Sequence, residues 1–83
     1  MAASPRITLY SSPRCAHCRQ ARQYLERSGL RFQEFDVQGN PRAQKAFAKL
    51  GARGVPVILV GDTRIDGFDK RRLDQALRRV KRP

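Results

Sequence analysis

Apolar and polar positions alternate along this chain with two different periods. Residues 6–10, RITLY, form a short β-prone run closed by Ser11-Ser12-Pro13, which predicts a first strand. Cys18, Ala21, Leu25 and Ser28 then recur at helical spacing, Arg19, Gln20, Arg22, Gln23, Glu26 and Arg27 fill the remaining positions, and Gly29 supplies a stop. Leu30 to Val37, LRFQEFDV, alternates Leu30, Phe32 and Phe35 imperfectly with polar residues and predicts a second strand. Asn40-Pro41 opens the next helix, with Ala43, Ala46, Phe47 and Leu50 as its apolar stripe and Gly51 as its end. Residues 57–60, VILV, form a continuous apolar run that reads as a strand buried on both faces, and Thr63 to Asp66 can pair back on it across Gly61-Asp62. Asp69 caps a last helix whose stripe is Leu73, Ala76, Leu77 and Val80.

The predicted order is therefore βαβ, then α, then ββα. A strand–helix–strand unit implies parallel pairing through a right-handed crossover, whereas a two-residue connection implies an antiparallel hairpin. The expected class is α/β, with a four-stranded mixed sheet and helices on both faces.

At 83 residues the chain suits a single domain spanning 1–83, with a core of about 6–80 and a basic tail at 81–83. MAASPRITLY lacks the basic and long apolar segments of a secretory leader, and no stretch approaches the roughly 20 apolar residues of a membrane span. The expected location is the cytoplasm, without membrane attachment. Eighteen Lys and Arg against seven Asp and Glu give a formal charge of +11, concentrated after Asp69, which favours acidic partners without specifying one.

The candidate chemistry lies in residues 10–20, YSSPRCAHCRQ, which hold both cysteines and the only histidine. In a reducing compartment, such a pair is more often catalytic or metal-binding than structural. Cys15 and Cys18, three apart in a helix's first turn, lie on one face about a turn apart and can form a reversible disulfide. Free N–H groups at a helix start favour an anion, and such sites lower a thiol pKa from about 8.5 to roughly 3.5–7.5. With Arg14 and His17 nearby, Cys15 is the expected nucleophile; Cys18, on the core stripe, resolves the mixed disulfide.

The tyrosine-led strand before Cys15-Ala-His-Cys18, the segment Gly51-Ala-Arg-Gly-Val-Pro-Val57 and Gly67-Phe-Asp69 follow one another in an order that resembles a dithiol glutaredoxin of the thioredoxin superfamily, over about residues 6–80. That resemblance implies a thioredoxin-like fold and a cis peptide between Val55 and Pro56 beside the Cys15 sulfur, although only about 5–6% of X–Pro bonds are cis. It also implies a Val55 backbone that pairs with a substrate cysteine. Glutathione would lay its γ-glutamyl end on the N–H groups of Phe68 and Asp69, after Gly67, with Asp69 facing its ammonium and Arg14 or Arg53 its glycyl carboxylate. Glutathione is then a co-substrate, and no cofactor is tightly bound.

The chain departs from the glutaredoxin pattern at Ser12, Ala16, His17, Gly54 and Asp66, each of which alters a group expected to meet glutathione. The alternative is a glutaredoxin-like redoxin reduced by thioredoxin reductase and serving ribonucleotide reductase. His17 resembles the histidine of disulfide-forming oxidases, yet the expected potential stays at about −200 to −230 mV.

Other readings weigh less. Structural zinc wants four ligands, and this chain offers two cysteines and His17; an iron–sulfur cluster shared by two chains belongs to relatives with altered sites. His17 also reads as an exposed polar residue, Pro56 as a strand-edge proline and Asp69 as a plain N-cap. The basic last helix also reads as a solvated face or a nucleic-acid-binding surface, but no aromatic interleaves its Arg and Lys. A non-enzymatic interaction module is a third class. The reading adopted is a monomeric thiol–disulfide oxidoreductase acting on protein disulfides or glutathione mixed disulfides, with Cys15, Cys18 and Pro56 at its centre and no metal.

Overall fold

The computed structural model describes residues 6–80, and the tail at 81–83 lies outside them. Its elements are β1 (Ile7–Ser11), α1 (Ala16–Arg27), β2 (Gln33–Asp36), α2 (Pro41–Leu50), β3 (Val57–Val60), β4 (Thr63–Asp66) and α3 (Lys70–Val80). They build the expected mixed sheet, in the order β2-β1-β3-β4. β1 runs parallel to β2 and antiparallel to β3, and β3 and β4 form the hairpin. Gly61 has φ +58, while among the described residues no other residue type has positive φ, the pattern of a glycine-led two-residue turn.

Pairing places Ile7 opposite Val60, Leu9 opposite Ile58 and Ile58 opposite Ile65, so these side chains share one face. They pack against Ala21 and Leu25 of α1 and Leu73, Ala76 and Leu77 of α3. Burying each of these large aliphatic side chains contributes about 1.5–3 kcal/mol. Val80 was expected in this stripe, but its side chain lies outside the described residues. On the opposite face Tyr10 meets Phe35 of β2 and Phe47 of α2, each with ring centroids 5.8 Å apart.

Two expectations need correction. The second strand is shorter than residues 30–37, because the amide of Leu30 donates to Leu25 O (3.3 Å) and that of Gly29 to Glu26 O (3.0 Å). With Gly29 at φ +69 this is a Schellman closure, which commits the Leu30 amide to the end of α1 and leaves Leu30 and Phe32 to pack on the core from a loop. The apolar run 57–60 is also not buried throughout: Val57, Ile58 and Val60 are, whereas Leu59 is half-buried. α2 packs chiefly over β2, leaving that part of the face partly open.

Both later helices start as the sequence predicts. Asn40 Oδ1 accepts the amides of Arg42 (3.0 Å) and Ala43 (3.2 Å), and Asp69 Oδ1 accepts that of Arg72 (3.1 Å). In α2 only Ala43 of the predicted stripe is fully buried; Ala46, Phe47 and Leu50 are half-buried. No described helix is long and apolar enough to cross a membrane.

Candidate active site

β1 delivers the chain to the loop Ser12–Cys15, and α1 begins at once. Cys15 is the N-cap of this helix rather than a residue of its first turn, with extended backbone (φ −101, ψ 112). Its carbonyl accepts the Arg19 amide (3.2 Å), and its own amide donates to Ser12 O (3.3 Å). An N-cap side chain normally accepts an amide of the first turn through oxygen. Here sulfur does so: the Cys18 N–H donates to Cys15 Sγ over 3.2 Å. Hydrogen bonding of this kind, with the partial positive charge of the helix start, favours negative charge on the acceptor.

The second cysteine differs in every respect that matters to its reactivity. Cys15 is partly exposed, whereas Cys18 is 1% exposed, on the same face of α1 as Ala21 and Leu25. Burial pushes the Cys18 thiol up to about 12 from an ordinary 9.0, and its side-chain hydrogen bond to Cys15 acts in the same direction. A backbone hydrogen bond from Ser12 opposes this rise, while the charges of Cys15 and, least, Glu34 add to it. Cys18 is therefore a protonated reserve beside an accessible sulfur.

The Val55–Pro56 peptide is cis. Val55 O lies 3.8 Å from Cys15 Sγ, within reach of the S–H when that sulfur is protonated. Pro56 is buried, and its carbonyl accepts the Gly67 amide (2.8 Å), which ties the Val55–Pro56 loop to the strand end before α3. Gly67 has φ +80, a conformation that suits glycine. Val55 and Gly67, with Arg53, Gly54 and Asp66, line an open groove of about 510 Å³.

The remaining predicted residues are distributed around this centre. Arg14 and His17 flank the cysteines at exposed positions, and neither hydrogen-bonds to Cys15 Sγ. The Phe68 ring is partly buried against the core and meets Tyr24 (5.9 Å between centroids). Asp69 is exposed and already engaged, capping α3 and lying 3.7 Å from Arg72 Nε. Among the described residues, no three His, Cys, Asp or Glu side chains cluster to hold a metal ion.

One contributor was not singled out from the sequence, Glu34 through its charge; Ser12, which acts here through its backbone, and Asp66 stood out there only as departures from the glutaredoxin pattern. Glu34 sits opposite Leu9 on β2, accepts a hydrogen bond from Ser11 Oγ (2.8 Å) and pairs with Arg22 (3.3 Å), a placement set by strand register alone. Asp66 is held by Arg64, whose Nε and Nη2 donate to its two oxygens over 2.6 and 2.9 Å, and this pairing keeps its carboxyl below the usual range.

Comparison with known proteins gives the same picture. The sequence model of the glutaredoxin family matches residues 7–65. Glutaredoxin from Pseudomonas aeruginosa is 36% identical over 66 residues, which cover 78% of this chain and 79% of that protein. The glutaredoxin-like protein NrdH from Escherichia coli is 33% identical over 63 residues, 76% of this chain and 78% of that one. The solved structure of the E. coli NrdH-redoxin superposes with a TM-score of 0.76 at 30% identity, covering 84% of this chain and 92% of that one. Glutaredoxin from Archaeoglobus fulgidus shares the fold, with a TM-score of 0.76 at 24% identity over 87% of this chain and 85% of that one. None of these relatives supports the nucleic-acid-binding alternative. A thiol at a helix start, a buried partner three residues on, a thioredoxin-like sheet behind them and this kinship agree: the chain belongs to the glutaredoxin family and is a thiol–disulfide redoxin.

Proposed function

We propose that this protein reduces glutathione mixed disulfides and protein disulfides in the cytoplasm, with Cys15 as nucleophile, Cys18 as resolving thiol and glutathione as the source of electrons. One observation carries the reading: Cys15 Sγ, partly exposed, accepts the Cys18 N–H at 3.2 Å while the Cys18 sulfur is buried beneath it. The division of labour between the thiols follows from that geometry.

The Cys15 thiolate attacks one sulfur of the substrate disulfide; that S–S bond breaks, and the departing thiolate takes a proton from solvent. Cys18 then loses its proton and attacks Cys15 Sγ, which releases the second substrate thiol and leaves a Cys15–Cys18 disulfide. Two electrons have passed from protein to substrate. With a glutathione mixed disulfide, a second glutathione thiolate can attack the glutathionyl sulfur instead, so Cys18 is dispensable. Burial keeps Cys18 protonated until the mixed disulfide has formed beside it, so it does not compete for substrate.

The groove of Arg53, Val55 and Gly67 offers a cation and backbone to glutathione, and the α3 N-terminus at Phe68 and Asp69 suits its γ-glutamyl carboxylate. A second reading rests on Asp66, a fixed carboxylate on the wall of that groove, and on the kinship with an E. coli redoxin whose activity profile is described as thioredoxin-like. In that reading, thioredoxin reductase supplies the electrons and ribonucleotide reductase consumes them. A coupled assay separates the two. Oxidised protein receives NADPH with either glutathione and glutathione reductase, or thioredoxin reductase alone. Turnover with the glutathione system supports the proposal; turnover confined to thioredoxin reductase replaces it with the second reading.

A further inference from the structure

The outer edge of β4 and the basic face of α3 form a feature that disulfide exchange does not use. β4 ends the sheet, so among the described residues no strand pairs with its outer side. The Gly67 amide points inward, to Pro56 O. Hydrogen-bonded pairs alternate along an antiparallel ladder, and the register places Ile65 opposite Ile58 and Thr63 opposite Val60. Residues 63, 65 and 67 therefore bond inward, and the N–H and C=O groups of Arg64 and Asp66 face outward.

Exposed edges of this kind are often blocked by a charged side chain laid across them. Arg64 is committed elsewhere: its guanidinium holds Asp66 and the carbonyl of Leu50, at the end of α2. The edge itself remains open. Beside it runs a groove of about 590 Å³ between β4 and α3, lined by Thr63 and Ile65 on one side and by Arg72, Gln75, Arg78 and Arg79 on the other. Arg72 keeps 74% of its side chain exposed, and Arg78 and Arg79 form no ion pair among the described residues. A strand added to β4 would lie about 4.8 Å away, with alternate side chains over this arginine row.

We propose that β4 and α3 together form a docking edge for an extended acidic segment of a partner protein, which adds a strand to the sheet at Arg64 and Asp66 and places its carboxylates on Arg72, Arg78 and Arg79. Backbone pairing gives the segment its extended form, and the arginines select its charge. The β4 edge ends at Asp66, next to Gly67, whose amide bonds Pro56 O beside the Val55 carbonyl that faces Cys15, so a strand paired along this edge runs toward the Cys15 face at that end.

The test uses the full chain and two fluorescein-labelled octapeptides, (Glu-Val)4 and (Gln-Val)4, with an oligothymidylate of matched charge as third probe. In low-salt anisotropy titrations the glutamate peptide should bind at least tenfold tighter than the glutamine peptide, and Arg78→Gln/Arg79→Gln should weaken it at least tenfold while turnover of a small disulfide substrate is unchanged. Hydrogen exchange at the Arg64 and Asp66 amides should slow at least tenfold when the glutamate peptide is bound. Cys15→Ser should bind the peptide normally, so that loss of redox chemistry and loss of docking are separately visible. Equal affinity for the oligothymidylate, or peptide binding without slowing at those two amides, overturns the proposal and leaves an unselective basic surface.

Discussion

The backbone N–H of Cys18 points at the sulfur of Cys15 from 3.2 Å. A cysteine thus fills the role that serine, threonine or aspartate plays at other helix starts, and the acceptor is the sulfur proposed as the nucleophile. The same turn of helix carries the Cys18 side chain down into the core. One local geometry accordingly produces an accessible sulfur and a sheltered partner.

That division predicts distinct mutant phenotypes. Cys15→Ser should reduce turnover to the uncatalysed background with every disulfide substrate. Cys18→Ser should retain deglutathionylation and lose reduction of protein disulfides, with trapped mixed disulfides visible by mass spectrometry. Iodoacetamide at neutral pH should modify Cys15 well before Cys18, and faster than free cysteine; an ordinary rate at Cys15 would contradict the proposed role of the helix start.

The raised Cys18 thiol makes stability depend on alkaline pH. Its folded value is above its unfolded value, so the folded state binds the proton more tightly. Stability is then fully present below about 9.0 and declines as pH rises toward about 12. Urea titrations of reduced protein across that interval should show a steeper loss than those of Cys18→Ser or of the disulfide form. Superimposable curves would rule out Cys18 as the source.

Asp66 is the residue through which the groove can be retuned. Its carboxylate stands on a wall proposed to receive glutathione, and an exposed charge of this kind is worth about 0.2–1 kcal/mol. Asp66→Gly should therefore lower KM for a glutathione mixed disulfide by a factor of a few, with kcat nearly unchanged. An unaltered KM would place glutathione elsewhere.

The reduction potential bears on His17, which is exposed in the first turn of α1. A value of about −200 to −230 mV is expected from equilibration with glutathione. His17→Ala should shift it to a more negative value if the imidazole favours the reduced form. A wild-type value near the −270 mV of thioredoxin would remove any such effect.

Core packing is testable at Leu25 and Ile58, both fully buried at the junction of α1 and the sheet. Replacement of either by alanine should cost about 2–5 kcal/mol in chemical denaturation. At 83 residues the chain has little stability to spare, so partial unfolding at growth temperature is the expected outcome.

Much of this protein was legible because its signals are local. Asn40 and Asp69 announce helix starts through side chains that bond amides two or three residues away, Gly61 announces a tight turn, and the spacing of Cys15 and Cys18 needs only one turn of helix. The parallel β1–β2 pairing and the β3–β4 hairpin also followed, since their connections leave few choices, whereas the β1–β3 pairing that sets the strand order did not. Where the reading overran, at Leu30–Phe32, a closure specific to Gly29 had taken the amide that a strand would need.

The sequence by itself thus determined the elements, their order along the chain and the pair of thiols proposed to react, because capping, turn chemistry and periodicity act within a few residues. Tertiary structure alone decided that Val55 comes to lie against Cys15, that Gly67 bonds the carbonyl of Pro56, that Glu34 influences Cys18 and that β4 keeps an open edge beside arginines. Those relations join residues 11 to 40 positions apart or depend on which strand ends the sheet. They arise from register and packing, which no local preference encodes.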